Sequence, residues 1–224
     1  MARVIAGEAG GRRLAVPDGR DTRPTSDRAR EGLFATIASM VGPLAGTRVL
    51  DLYAGSGAVG LEALSRGAEH VLLVEHGARA ARVIRQNIEA LGLPGAVLAA
   101  DRVERVLARG LGQDQPGQDQ PGEHRYDVVF ADPPYAMPAT EVARMLTALA
   151  GRGWLAPRAL VIVERATRSG PLNWPDGFLP DRARRYGEAT FWYGHAAGYE
   201  RDDRPGASSR VLAEEQKGGA ACSA

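Results

Sequence analysis

The residues best suited to chemistry are Asp132-Pro133-Pro134-Tyr135, directly after the apolar run Tyr126-Asp127-Val128-Val129-Phe130-Ala131. An exocyclic base amine is a poor nucleophile because its lone pair is delocalised into the ring. Two acceptors that take its two N–H groups favour the pyramidal, reactive form. Asp132 offers a carboxylate oxygen and Pro133 a backbone carbonyl, while proline brings no competing N–H and stiffens the turn. Tyr135 offers a ring on which a base can stack, and Pro134 completes the turn. A base held in a helix would have to leave it to reach such a pocket. The implied reaction is in-line methyl transfer to an amine, driven by orientation and hydrogen bonding. Asp132 would also take up the proton the amine loses.

A second motif would serve this one. Asp51-Leu52-Tyr53-Ala54-Gly55-Ser56-Gly57-Ala58-Val59-Gly60 ends an apolar strand and opens a helix. It contains G-x-G-x-x-G with Glu75 twenty residues beyond Gly55, which on spacing alone is a dinucleotide fingerprint. Asp51 argues against that ligand, because its carboxylate sits where a pyrophosphate would need to lie. S-adenosylmethionine has no phosphate and carries a cationic amine and a sulfonium, so an acid there is favourable. Asp51, Tyr53, Gly55, Ser56 and Gly57 are therefore candidate cofactor contacts. Glu75 is placed for the ribose hydroxyls and Asp101 for the adenine amine. A bare βα turn, or solvated acids at strand tips, are the plainer alternatives for each taken singly.

These motifs need a frame that brings strand ends together. Apolar runs at 48–52, 71–75, 97–100, 126–131 and 160–164 alternate with helical spacing at 59–66, 78–91, after 100, and 139–149. Short continuous apolar strands separated by helices indicate an α/β domain whose mostly parallel sheet is covered on both faces. In such sheets ligands bind outside the carboxyl ends of the strands, where both motifs fall. Two further strands near 184–187 and 190–193 suggest a closing hairpin. Segments 3–7 and 10–16 read as a small N-terminal β-hairpin, and a helix carrying Leu33, Phe34, Ile37 and Met40 follows. The expected organisation is a hairpin extension over 1–22 and a methyltransferase domain over 23–197. The Gln-Asp-Gln-Pro-Gly tandem repeat at 113–122 is expected to be a flexible loop, and 198–224 a disordered tail.

Composition narrows the classes. The chain has 224 residues, 44% hydrophobic and 25% charged, with a net charge of +1, as in an ordinary soluble domain. Cys222 is the only cysteine, so no internal disulfide and no thiolate zinc site can form; no metal is expected. No apolar run suits a membrane span and the N-terminus lacks a signal-peptide core, so the cytoplasm is expected. Lys217 is the only lysine, and Arg outnumbers acids within the first thirty residues. Compositional bias accounts for much of this. Arg12, Arg13, Arg23, Arg28 and Arg30 nonetheless suit phosphate oxygens and are candidate RNA contacts.

At these motifs the chain resembles the RsmD-type 16S ribosomal RNA guanine-N2 methyltransferases. The resemblance rests on Arg3-Val4-Ile5-Ala6-Gly7 with Gly11-Arg12-Arg13-Leu14, on Arg23 to Glu31, on Asp51 to Ala68, and on Glu75, Asn87, the tetrapeptide and Tyr186-Gly187. It implies a seven-stranded Rossmann-like fold and S-adenosylmethionine-dependent methylation of one guanine N2. It also implies 16S rRNA, within the assembling 30S subunit, as partner; the chain is expected to act as a monomer and without a membrane. Family members commonly have Phe where Tyr135 stands, and either ring stacks. Three other readings remain at this point. One is an N6-adenine or N4-cytosine DNA methyltransferase, whose amines the tetrapeptide would serve equally. The others are an NAD-dependent oxidoreductase and a non-catalytic RNA-binding assembly factor.

Overall fold

Strands β3 (Arg48–Leu52), β4 (His70–Val74), β5 (Ala96–Ala99), β6 (Tyr126–Ala131) and β7 (Leu155–Ala166) run parallel in the computed structural model, which describes residues 2–17, 27–111 and 125–197. With β8 (Phe178–Tyr186) and β9 (Ala189–Ala196) they form a seven-stranded sheet in the order β5-β4-β3-β6-β7-β9-β8. The last two strands are antiparallel, β9 lying between β7 and β8. The order reverses between β3 and β6, the point at which open α/β sheets form their binding crevice. The repeat at 113–122, the segment Arg23–Ser26 and the C-terminal tail lie outside the described residues.

The sheet is apolar on both faces because both are covered. Val49, Phe130, Leu160 and Ile162 point one way, with α1 (Asp27–Val41), α2 (Ala58–Ser65) and α3 (Ala78–Leu91) packed over them. Leu50, Leu52, Val129, Val161 and Val163 point the other way, beneath α4 (Val103–Arg109) and α5 (Ala139–Gly151). Each such apolar side chain removed from water contributes about 1.5–3 kcal/mol. Alternation along a strand thus decides which polar residue at its end faces which layer.

Two expectations were too short. β7 starts at Leu155 rather than 160, because an irregularity lets Tyr126 pair with Leu155 and Val128 with Leu160. Pro157 and Arg158, the latter at φ +66°, sit inside that irregularity and read as a loop in sequence. β8 starts at Phe178 rather than 184; it is an exposed edge strand, where Pro180 and charged residues are tolerated.

The N-terminal hairpin pairs β1 (Ala2–Arg3) with β2 (Arg13–Leu14) and is bolted to α2. Fully buried Glu62 accepts from the Ile5 N–H at 2.6 Å and the Ala6 N–H at 3.0 Å. Ser65 accepts from the Ala9 N–H and donates to the Ala6 carbonyl. Gly7, at φ +83°, lies so close that a Cβ there would sit 1.8 Å from the Ser65 carbonyl oxygen.

Candidate active site

The glycine loop is organised by two buried acids. Asp51, one residue from the end of β3, accepts the Gly60 N–H at 2.8 Å. Gly60 is in the first turn of α2, so the helix end that would cradle a pyrophosphate is already answered by a carboxylate. Burial raises the Asp51 carboxyl to about 7, offset by the Gly60 hydrogen bond and reinforced by Glu75. A group at that value gains from a cation placed against it and would repel a phosphate. Glu75, just past β4, accepts the Gly55 N–H at 3.0 Å and the Gly77 N–H at 2.6 Å. It therefore ties the loop to the start of α3.

The loop leaves room on its open side. Gly55 has φ +57°, and a Cβ there would meet nothing closer than the Tyr53 carbonyl at 4.0 Å. Its positive φ and empty foreground form a cradle that backbone alone lines. That cradle, with Asp51 and Glu75 behind it, suits S-adenosylmethionine and not a dinucleotide. Ser56 and Gly57 complete the turn; the Ser56 carbonyl accepts from Asn87 Nδ2 at 2.9 Å. Asp101 is engaged by its own helix, accepting from the Arg102 N–H and pairing with Arg109 and Arg105. An adenine amine would share that carboxylate with them.

The tetrapeptide lies against this loop. The Asp132 N–H donates to the Leu52 carbonyl at 3.3 Å, joining the ends of β6 and β3. Tyr53, held at φ +62°, reaches across with its hydroxyl 3.8 Å from the Met137 sulfur and 3.5 Å from Glu104. A non-glycine residue in that region is strained, and strain of this kind gathers at functional turns. Pro133 is buried, while Pro134 and Tyr135 are exposed. The Met137 N–H closes the turn onto the Pro134 carbonyl at 2.8 Å. Among the described residues no donor takes the Pro133 carbonyl.

Asp132 has acidic company. Ala131 pairs with Val163, which puts Asp132 beside Glu164, and Asp51 faces Phe130, two positions back and so on the same face. Burial first, then Glu164 and Asp51, push the Asp132 carboxyl well above the usual carboxylate range. Glu164 and its neighbour Arg165 were not singled out from sequence; an acid at the tip of the fifth strand was the available signal. Arg165 is buried and donates to the Met137 carbonyl at 2.9 Å, so it grips the tetrapeptide loop from β7. Asn87 also carries a role that only the fold reveals. It bonds Ala15 through both its amide groups while holding Ser56, joining the N-terminal segment to the cofactor loop.

The candidate RNA contacts divide. Arg12 bonds the Leu91 carbonyl at 2.7 Å and the Ala90 carbonyl, which caps the C-terminus of α3. Arg30 is fully buried, bonding the Arg3 carbonyl and Asp27 and lying 3.9 Å from Glu62. The expectation for Arg30 is corrected, because it is fully buried among an internal carbonyl and acids and has no surface to offer; Arg12 stays exposed while its guanidinium holds the end of α3. Arg13 and Arg28 are exposed, and Arg23 lies outside the described residues. Among the described residues no cluster of His, Cys, Asp or Glu could hold a metal, and no helix is long and apolar enough to cross a membrane.

Comparison with known proteins bears on the family and the fold. The family model described as Conserved hypothetical protein 95 matches residues 2–195. Ribosomal RNA small subunit methyltransferase D of Escherichia coli K12 is 35% identical over 77% of this chain and 80% of its own length. The Haemophilus influenzae protein of the same name is 34% identical over 79% of this chain and 84% of its own. The solved structure of Escherichia coli yhhF is 30% identical, covers 88% of this chain and 98% of its own, and superposes with a TM-score of 0.72. TrmN from Thermus thermophilus, at 20% identity, covers 75% of this chain and 48% of its own with a TM-score of 0.54, and shares the fold alone. With a match over nearly all of its described residues and relatives of this similarity, the chain belongs to the RsmD-type methyltransferase family.

Proposed function

We propose that the protein methylates the exocyclic N2 amine of a guanine in 16S ribosomal RNA, with S-adenosylmethionine as methyl donor. The observation that carries the amine is the pairing of Asp132 with an unused Pro133 carbonyl at the mouth of the Gly55 cradle. The ribosomal RNA is supported by the relatives named ribosomal RNA small subunit methyltransferase D, and guanine by the family resemblance. S-adenosylmethionine supplies the electrophilic methyl when bound. Asp51 would answer its cationic amino end, and Glu75 and Asp101 would hold its ribose and adenine. Asp132 and the Pro133 carbonyl hold the two amine hydrogens so that the nitrogen lone pair points at the cradle. Tyr135, exposed beside them, stacks on the extruded base. Asp132, with its raised carboxyl, is a better proton acceptor than an ordinary aspartate and takes the proton the amine releases.

The decisive measurement is methyl incorporation into RNA with Asp132→Ala, followed by mapping of the modified nucleotide. Removing a group aligned for the transition state should cost about a hundredfold to a thousandfold in turnover, with cofactor affinity nearly unchanged. Equal loss of cofactor binding would remove the assigned role. Mapping to adenine or cytosine would replace guanine while leaving the amine chemistry intact.

A further inference from the structure

Arg30 is consumed by the fold and Arg12 is tied to the end of α3, but other exposed arginines carry no such internal bond. Arg28 on the first turns of α1, Arg168 in the short helical turn Thr167–Ser169, and Arg184 in β8 are exposed. None of the three guanidinium groups has a hydrogen-bond or ion-pair partner among the described residues. Their neighbours differ: Arg182 pairs with Asp181, and Arg185 donates to the Gly187 carbonyl.

Strand register places this free charge at the catalytic end. Glu164 pairs with Phe191, and Phe191 with Arg184. Asp132 stands beside Glu164 by the Ala131–Val163 pairing. Asp132, Glu164, Phe191 and Arg184 thus form one row across β6, β7, β9 and β8, directed to one face of the sheet. Three strand spacings of about 4.8 Å put the Arg184 backbone about 14 Å from that of Asp132. The Arg168 turn joins the same corner, because the Thr167 N–H donates to the Glu188 carbonyl at 2.7 Å between β8 and β9. Gly32 of α1 packs on the Tyr186 ring so closely that a Cβ would lie 2.4 Å from its hydroxyl. Arg28 is one helical turn earlier on that face, beyond Tyr186. Glu31 and Glu188 are the exposed acids nearby. Charges on an edge strand also deter sheet-to-sheet pairing, but that purpose places none on α1 or on the 167–169 turn.

We propose that Arg28, Arg168 and Arg184 form a rim that binds phosphates of the RNA strand flanking the nucleotide at Asp132. The rim rests on the RNA reading above. A base drawn into the site leaves its neighbouring phosphates outside, and guanidinium groups around the mouth are suited to hold them.

The test is binding of the full chain to a 16S rRNA transcript across a salt series. Each neutralised contact should lower the log–log salt slope by about 0.7–0.9, so Arg28→Gln/Arg168→Gln/Arg184→Gln should lower it by about two. KM for RNA should rise at least tenfold with kcat, melting temperature and cofactor affinity near wild type. Arg184→Gln alone should take about one third of the slope change. The comparison triple is Arg79→Gln/Arg82→Gln/Arg85→Gln, exposed arginines of α3, which should leave the slope unchanged. A rim triple with the wild-type slope, or an α3 triple with an equal loss, overturns the rim while RNA methylation by the wild type stands. No methyl transfer to RNA by the wild type overturns both.

Discussion

The two halves of the sheet are built by different means. In the half formed by β3, β4 and β5, side chains serve the backbone: Asp51 and Glu75 spend their carboxylates on glycine N–H groups, and the proposed cofactor surface is main chain. In the half formed by β6, β7, β9 and β8, the backbone serves side chains: strand register brings Asp132, Glu164 and Arg184 into one row. A backbone cradle recognises a cofactor that never changes. A row of side chains across neighbouring strands can be re-dressed for a different substrate without disturbing the cradle. If the division is real, damage to each half should appear in a different constant.

The largest separation is expected from Glu75→Ala. It orphans the Gly55 and Gly77 N–H groups and removes the proposed ribose acceptor. A part-buried donor left unpaired costs about 1–3 kcal/mol, so cofactor affinity should fall by roughly tenfold to a hundredfold or more. Titration calorimetry with S-adenosylhomocysteine reads this directly, and RNA affinity should stay within twofold. A parallel loss of RNA affinity would show that the halves are not separable.

The cofactor half was the more legible in sequence, and the reason is local. Asp51, Gly55, Gly57, Gly60 and Glu75 sit within one strand–turn–helix–strand stretch, so spacing carries nearly all the geometry. Asp132 to Tyr135 could be placed for the same reason, as the exit of an apolar strand. What could not be read depends on pairing between distant segments. Arg30 looks like a surface arginine until α2 brings Glu62 beneath it. Arg12 looks free until β2 lies over the end of α3. β8 escaped for a different reason, since Pro180 and its charges suit an edge and not the apolar pattern of a buried strand.

A smaller effect, confined to the substrate half, is expected from Arg165→Met. Its guanidinium holds the Met137 carbonyl from β7, so the loop from Pro133 to Met137 should loosen while the apolar stem of the side chain is kept. Misplacing the two amine acceptors by a fraction of an ångström should lower kcat about tenfold to a hundredfold, with cofactor affinity unchanged. Arg165→Lys should recover part of the rate, since an ammonium can still reach a carbonyl. An Arg165→Met enzyme that loses cofactor affinity instead would mean that the loop belongs to the cradle.

The finest test is electrostatic. Asp132 must be ionised to accept the amine hydrogens and the proton, and burial with Glu164 and Asp51 holds its carboxyl above the usual range. Turnover should therefore rise with pH through a limb lying higher than an ordinary aspartate would give. Glu164→Gln removes one of the negative neighbours and leaves the desolvation in place. The Asp132 carboxyl should then fall toward its ordinary value, and the acid limb of kcat should move to lower pH. The shift should be smaller than the whole displacement, because burial is the larger cause. Single-turnover methyl transfer to RNA across pH measures it without interference from product release. A limb that stays in place would mean that Glu164 does not sense the charge on Asp132. A limb that moves while the cofactor dissociation constant keeps its wild-type pH dependence would place the coupling in the substrate half alone.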